Sequence, residues 1–288
     1  MNVLSLFDGM SCGRIALDRA GIKVDNYFAS EIDKYAISVS KHNYPDIKHI
    51  GDVTQVKAPD LPKIDLIIGG SPCQGFSFAG KQLNFQDPRS VLFFEFVRIL
   101  KEIREYNPNV LFLLENVKMK KEYQDVISEQ MGVEPIKINS ALVSAQNRER
   151  LYWSNIPVSP LTDKGILLKH IIEDGFVDRD KSLALTTRIA GATLDRYVSK
   201  SHHQIVFLGN VNPSGKGMYG NVYGIDGKSP TLTTREPKIA VDGKHWRKLT
   251  PLECERLQTV PDNYTATVSN SQRYKMLGNG WTVDVIAE

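Results

Sequence analysis

Cys73, Glu115 and the pair Arg148 and Arg150 are the residues whose types and surroundings could carry covalent chemistry. The thiol follows Ile64-Asp65-Leu66-Ile67-Ile68-Gly69-Gly70-Ser71-Pro72, an apolar run of strand length that stops at two glycines. Lone cysteines are usually small buried residues. The flanking Gly, Ser and Pro argue instead for a shaped, exposed turn, at the place where open α/β sheets put their ligands. A thiolate there is a nucleophile. Glu115 comes straight after Val110-Leu111-Phe112-Leu113-Leu114; it either caps the next helix or is placed for desolvation, and an uncharged glutamic acid can donate a proton. Gln146, Arg148 and Arg150 alternate, so an extended chain sets them on one face. Two arginines there form a solvated edge, or a clamp if they face a carboxylate and an anionic ligand.

The elements that must position these groups are legible as strand-turn-helix repeats. Strands are expected at residues 3–7, 26–29, 47–51, 64–68 and 110–114, and helices at 14–21, 32–44 and 91–104. Asp8, Glu31, Asp52 and Cys73 all follow strand ends, at intervals of 23, 21 and 21 residues, which suits successive βα units lining one edge of a parallel sheet. The first turn, Asp8-Gly9-Met10-Ser11-Cys12-Gly13, is either a plain tight βα turn or a cofactor turn. Its Asp would repel a pyrophosphate, so a cofactor carrying positive charge, such as S-adenosylmethionine, fits better than a dinucleotide. Glu31 lies where such folds place an acidic residue on a ribose, Asp52 could accept from an adenine amino group, and Ile32 or Val53 could cover the ring.

The 288 residues, 41% hydrophobic, are enough for one large domain and a smaller one. Net charge is +3, and the stretch 158–245 holds the whole surplus, with 12 Lys or Arg against 9 Asp or Glu. Cys12, Cys73 and Cys254 are far apart and odd in number, which fits a reducing compartment and offers no metal-ligand spacing. The start lacks a basic, apolar leader, and no apolar run reaches the roughly 18 residues of a membrane helix. An intracellular protein with no membrane partner is expected. Residues 77–90, with Lys81 and Arg89, read as a long loop beside the thiol. From 158 onward short segments are broken by Gly, Asn and Ser, and Arg188, Lys216 and Arg235 lie among hydroxyls and amides that could read groove edges and phosphates; an ordinary loop-rich β subdomain is the other reading. A helix from Pro251 is expected to begin with Thr250 as N-cap and Glu253 completing a capping box, and a turn at 277–282 precedes a short helix at 283–288.

Phe7-Asp8-Gly9, Glu31, Asp52-Val53, Pro72-Cys73-Gln74, Glu115-Asn116-Val117, Gln146-x-Arg148-x-Arg150, Leu249-Thr250-Pro251-x-Glu253-Cys254-x-Arg256-Leu257-Gln258 and Gly278-Asn279-Gly280 stand in this order along the chain. The set resembles the DNA (cytosine-5) methyltransferases, most of all the bacterial and phage relatives of the animal de novo branch. The resemblance implies an α/β, Rossmann-like S-adenosylmethionine-dependent methyltransferase sheet domain, residues 1–157 and again 246–288, with a smaller target-recognition domain inserted at 158–245. It implies methylation of cytosine C5 in a short specific double-stranded DNA sequence, with S-adenosylhomocysteine as product. Cys73 would attack C6 of a base swung out of the duplex, Glu115 would hold N3, Arg150 would hold O2, and Arg148 would steady Glu115 or a phosphate. Phe7, Asp8, Gly9, Glu31, Ile32, Asp52, Val53 and Ser71 would line the cofactor site, with Asn279 and Trp281 near the methionine end. Gln74, Ser77, Lys81, Arg89, Arg188, Lys216 and Arg235 would face DNA. A monomer is expected in the cytoplasm of a bacterial or phage-infected cell, with any cognate restriction endonuclease acting separately. The same chemistry on tRNA, and a non-catalytic DNA-binding protein on this fold, are the alternative readings. The chain departs from the family pattern at Ser11, where many members carry glycine, and in stopping at Glu288 where relatives run further.

Overall fold

The computed structural model describes residues 1–72, 88–173, 180–185, 205–207 and 246–288. Two compact units divide the chain: Met1–Asn139, Glu149–Pro160 and Val283–Glu288 form the first, Ser140–Arg148 and Leu161–Thr282 the second.

The first unit is built on a seven-stranded sheet. Its strands are β1 (Asn2–Leu6), β2 (Asn26–Ser30), β3 (Lys48–Gly51), β4 (Leu66–Gly69), β5 (Leu111–Val117), β6 (Ile136–Asn139) and β8 (Glu149–Ser154), in the order β3-β2-β1-β4-β5-β8-β6; β7 (Gln146–Asn147) belongs to the second unit. Neighbours from β3 through β5 run parallel, while β8 is antiparallel to both β5 and β6. Chain order reverses between β1 and β4, so their carboxyl ends flank the crevice where such sheets bind ligands. The four apolar residues ahead of Glu115 and those of β4 lie inside the sheet, and Leu4, Leu6, Ile67, Phe112 and Leu114 are buried in one core. Helix α3 (Pro88–Tyr106) supplies Phe93, Phe96, Val97, Leu100 and Ile103 to it, a helical spacing of three and four. Gly69 permits the close fit, since a Cβ there would lie 2.8 Å from the Leu6 carbonyl oxygen and 3.0 Å from the Phe96 ring.

Helices α1 (Cys12–Arg19), α2 (Lys34–Asn43) and α4 (Lys121–Met131) complete the βα repeats. Asp33 caps α2 through its side chain, accepting from Tyr35 N–H at 2.9 Å. The last helix, α7 (Val283–Ala287), packs against α1, and Arg19 bonds Asp284.

Two expectations need correction. Strand β5 ends in Glu115-Asn116-Val117: β4 pairs with it only from Leu111 to Leu114, but β8 carries the ladder on, pairing Glu115 with Tyr152, Asn116 with Leu151 and Val117 with Arg150. Glu115 is therefore a strand residue and not a helix cap. Nor are Gln146, Arg148 and Arg150 on one continuous strand, because the extended chain breaks at Arg148 between β7 and β8.

In the second unit β7 pairs with β9 (Ser182–Leu183), and β10 (Ile205–Phe207) pairs antiparallel with β11 (Trp246–Lys248). Helix α5 (Pro251–Leu257) has the expected capping box: Glu253 N–H donates to the Thr250 hydroxyl at 3.1 Å and Thr250 N–H donates to Glu253 Oε2 at 2.8 Å. Helix α6 (Asn270–Asn279) extends through the expected turn and ends at Gly280. Most of 158–245, and the expected loop up to residue 87, lie outside the described residues. Among the described residues no helix is long and apolar enough to cross a membrane.

Candidate active site

The β1–α1 turn is wound tightly. Phe7, Gly9 and Ser11 all take left-handed backbone angles, with φ of 56°, 61° and 66°. Left-handed geometry is rare for an aromatic residue and is found where surrounding structure over-determines it, as at ligand sites. Nothing would lie within 4 Å of a Cβ at Gly9, so the turn is open on that side. Glu31, just beyond β2, fixes this turn: its Oε2 accepts from Gly9 N–H at 2.8 Å, and its Oε1 accepts from Ile32 and Asp33 N–H, both at 2.8 Å. Oε1 is filled by two donors, but Oε2, with one, keeps lone-pair capacity for a further donor such as a ribose hydroxyl. Ile32 follows with 73% of its surface exposed, an apolar face offered to a ring. Asp52 is exposed past β3 and accepts from Thr54 N–H at 2.9 Å through Oδ1. These residues fit a nucleoside-bearing cofactor.

Three expected cofactor contacts are placed differently. Val53 is 5% exposed and belongs to the core, because the turn after β3 points it down onto α3, and Ile32 is the exposed member of the pair. Ser71 is buried, its hydroxyl accepting from Asn116 Nδ2 at 3.2 Å. The Asp8 carboxylate points inward: Oδ2 accepts from the Ser11 hydroxyl at 2.5 Å and Oδ1 from the Tyr27 hydroxyl at 2.8 Å. Burial raises its pKa from 3.8 to about 6, against the pull of hydrogen bonds from Ser11, Ser5 and Tyr27.

At the other side of the switch point, Glu115 is buried beside Arg150, whose Nε lies 3.0 Å from Oε1. The distance is that of an ion pair, but the N–H is not aimed along it, and Nε makes no geometrically sound hydrogen bond. Arg150 donates from a terminal nitrogen to the Glu149 carbonyl at 2.9 Å. The pair is preorganised yet open to a third group. Arg148 is otherwise employed: its guanidinium lies 3.0 Å from the carbonyl oxygens of Leu185 and Gly280 and 3.5 Å from that of Gly278. Those partners are all in the second unit, as is Arg148, and these contacts hold the turn after α6.

Asn279 is exposed at the end of α6 and Trp281 is half-buried. Gln258 holds their turn, donating to Leu277 O at 2.6 Å and Gly280 O at 3.2 Å and accepting from Thr282 at 2.9 Å. Sequence reasoning assigned Gln258 no role; its signal was a polar residue closing an otherwise helical motif. Tyr27 and Ser40, which buttress the β1–α1 turn, carried no local signal. Cys73, Gln74, Ser77, Lys81, the Arg89 side chain, Arg188, Lys216 and Arg235 lie outside the described residues. Among the described residues no group of three His, Cys, Asp or Glu side chains is arranged to hold a metal ion.

The family model for C-5 cytosine-specific DNA methylases matches residues 1–288. Type II methyltransferase M1.ScrFI of Lactococcus lactis subsp. cremoris is 34% identical, the match covering 99% of this chain and 75% of that protein. Type II methyltransferase M.HhaI of Haemophilus parahaemolyticus is 30% identical over 99% of this chain and 92% of its own length. Among solved structures, the Entamoeba histolytica methyltransferase EhMeth superposes with a TM-score of 0.71 at 15% identity, covering 100% of this chain and 95% of that one; at that identity the likeness is one of fold.

Proposed function

Since the chain belongs to the C-5 cytosine-specific DNA methylase family, we propose that Cys73, Glu115 and Arg150 are the groups with which it methylates carbon 5 of cytosine in DNA. The observation that supports this is the bond from Asn116 to Ser71. It ties the residue next to Glu115 to a residue two positions before Cys73, so the segment that carries the nucleophile starts from beside the strand that carries the acid, as two groups acting on one pyrimidine require.

Carbon 5 is too weak a nucleophile to react unaided. The Cys73 thiolate adds to C6, forming a C–S bond while the ring electrons shift toward N3. Glu115 holds the proton at N3, and Arg150, its neighbour, holds O2 on the same ring edge. S-adenosylmethionine, when bound, supplies the methyl group through its sulfonium. Glu31 would hold its ribose hydroxyls, Asp52 its adenine amino group, and Ile32 the face of the base. After transfer, loss of the C5 proton to water or a base expels the Cys73 thiolate and restores the aromatic ring. Arg148 belongs in this scheme as a positioning residue for the 278–280 turn, which carries Asn279 and precedes Trp281.

The substrate is double-stranded DNA with the target base extruded. Gln74, Ser77, Lys81 and Arg89 face the DNA around that base, and residues 158–245 read the flanking sequence with Arg188, Lys216 and Arg235. The enzyme acts as a monomer in the cytoplasm of a bacterial or phage-infected cell, and any restriction endonuclease for the same site would be a separate protein.

Bisulfite sequencing of a plasmid incubated with the protein and S-adenosylmethionine tests the activity and reports the site. A duplex bearing 5-fluorocytosine tests the chemistry, because fluorine cannot leave and the adduct accumulates. A covalent complex with the wild-type chain and none with Cys73→Ala is expected. An adduct that persists without that thiol overturns the assignment.

A further inference from the structure

Behind the β1–α1 turn runs a line of polar groups that the reaction above does not use. The Ser11 hydroxyl lies 2.5 Å from Asp8 Oδ2 and 2.6 Å from the Ser40 hydroxyl of α2, which lies 3.3 Å from Nε2 of His49 on β3. Tyr27 of β2 donates to the other Asp8 oxygen at 2.8 Å. Asp8 is 8% exposed, and Ser11, Tyr27 and Ser40 are fully or almost fully buried. The titratable groups facing Asp8 are Tyr27 from β2, Glu31 just past β2 and, through Ser40, His49 from β3. Tyr27 donates a proton and keeps it, burial pushing its own ionisation well above the ordinary range. Glu31 repels Asp8. Burial and Lys41 hold His49 toward its neutral form.

Two features make this more than a satisfied core network. Ser11 has φ of 66° and leads into α1, yet its side chain does not cap that helix. The hydroxyl is spent instead on the Asp8 carboxylate and on Ser40, and a serine in this conformation bears strain that glycine would avoid. Moreover, Asp8 and Glu31 flank Gly9, the latter bonded to its N–H, so two carboxylates bracket the turn that meets the cofactor. Ionised, Asp8 brings negative charge there without being able to donate.

Substrate and product of this cofactor differ in charge at one atom. S-adenosylmethionine has a cationic sulfonium; S-adenosylhomocysteine has a neutral thioether and is otherwise the same molecule less a methyl group. We propose that Asp8, oriented by Ser11 and Tyr27, is a specificity-determining residue that makes the site prefer the sulfonium form over its thioether product, and that this preference is linked to a proton on Asp8. The inference rests on the cofactor reading given above. Its consequence is easier product release while Asp8 is ionised and stronger product inhibition once it is protonated.

Titration calorimetry with S-adenosylmethionine and S-adenosylhomocysteine on the whole chain tests it. The amino and carboxyl groups common to both ligands cancel in the ratio of their affinities. That ratio is expected to fall by about tenfold from pH 7.5 to pH 5 as a buried charge near the sulfonium is lost. At pH 6 in buffers of different ionisation enthalpy, binding of the sulfonium form should release protons and binding of the thioether should not. Asp8→Asn should show a low, flat ratio. Ser11→Gly keeps the left-handed turn while removing a bond to the charged carboxylate, so it should move the midpoint to higher pH; this variant tests the idea even if Asp8→Asn folds poorly. A pH-independent wild-type ratio, or the wild-type profile surviving in Asp8→Asn, overturns the inference while leaving the cofactor assignment standing. Failure of both ligands to bind at any pH overturns the two together.

Discussion

The Nε atom of Arg150 lies 3.0 Å from Oε1 of Glu115, and strand register brings the two together. Val117 is opposite Arg150 and Glu115 opposite Tyr152, so Glu115 and Arg150 are diagonal neighbours on one face of an antiparallel pair. Glu115→Gln keeps size and hydrogen-bonding capacity but cannot hold the N3 proton as an acid does. Its single-turnover methylation rate is expected to fall by about 10²- to 10⁴-fold with the melting temperature nearly unchanged. A loss below tenfold would remove Glu115 from the chemistry.

Arg148 predicts the opposite pattern. Its buried guanidinium serves the carbonyls of Leu185, Gly278 and Gly280, so Arg148→Met strands three acceptors and should cost about 3 kcal/mol or more in urea unfolding. Lysine, a single point donor, should not rescue it. The part of the variant that remains folded should lose affinity for S-adenosylmethionine more than rate at saturating cofactor, whereas Arg150→Met should lose rate even at saturating cofactor.

Gly69→Ala probes the close fit of β4. The new methyl meets the Leu6 carbonyl oxygen at 2.8 Å, a backbone atom that cannot step aside. Destabilisation of about 1–3 kcal/mol is expected, seen as a melting temperature several degrees lower by circular dichroism. A neutral substitution would mean that β1 and β4 separate readily.

Asp8 gives a pH dependence of known sign. Its folded value, about 6, exceeds the ordinary 3.8, so the native state binds this proton more tightly than the unfolded chain does. The native state carries no penalty from Asp8 below about pH 4, and stability is lost as pH rises through about 6, to a total of about 3 kcal/mol. Asp8→Asn removes that penalty while its amide can still meet Tyr27 and Ser11. It should therefore melt higher than wild type at pH 7.5, with the gap closing by about pH 4.5. Equal melting temperatures across that range would show the carboxyl to be unstrained.

The strand-turn-helix repeats were legible because apolar runs such as Val3-Leu4 and Ile67-Ile68 stop at Asp or Gly, and the α5 cap because Thr250 and Glu253 act within four residues. Whether Glu115 caps a helix or sits in the sheet was not, since its ladder depends on β8, whose pairing residues lie more than thirty positions away. Asp8 carried the expected charge but not the expected direction: its partners Tyr27 and Ser11 come from different elements, and nothing local says which side of the turn a carboxylate takes. Alternation suggested a shared face for Arg148 and Arg150; the break between β7 and β8 is a tertiary choice that alternation cannot report. Val53 read as an apolar lid but was needed by the core.

Helix α1 and the helix that covers it are made at opposite times. Arg19 and its partner Asp284 are 265 residues apart, so at about 5–20 residues per second a ribosome needs roughly 13–53 s between them. Throughout that interval the outer side of α1 waits uncovered. A nascent chain stalled anywhere in between has made α1 without the helix that covers it.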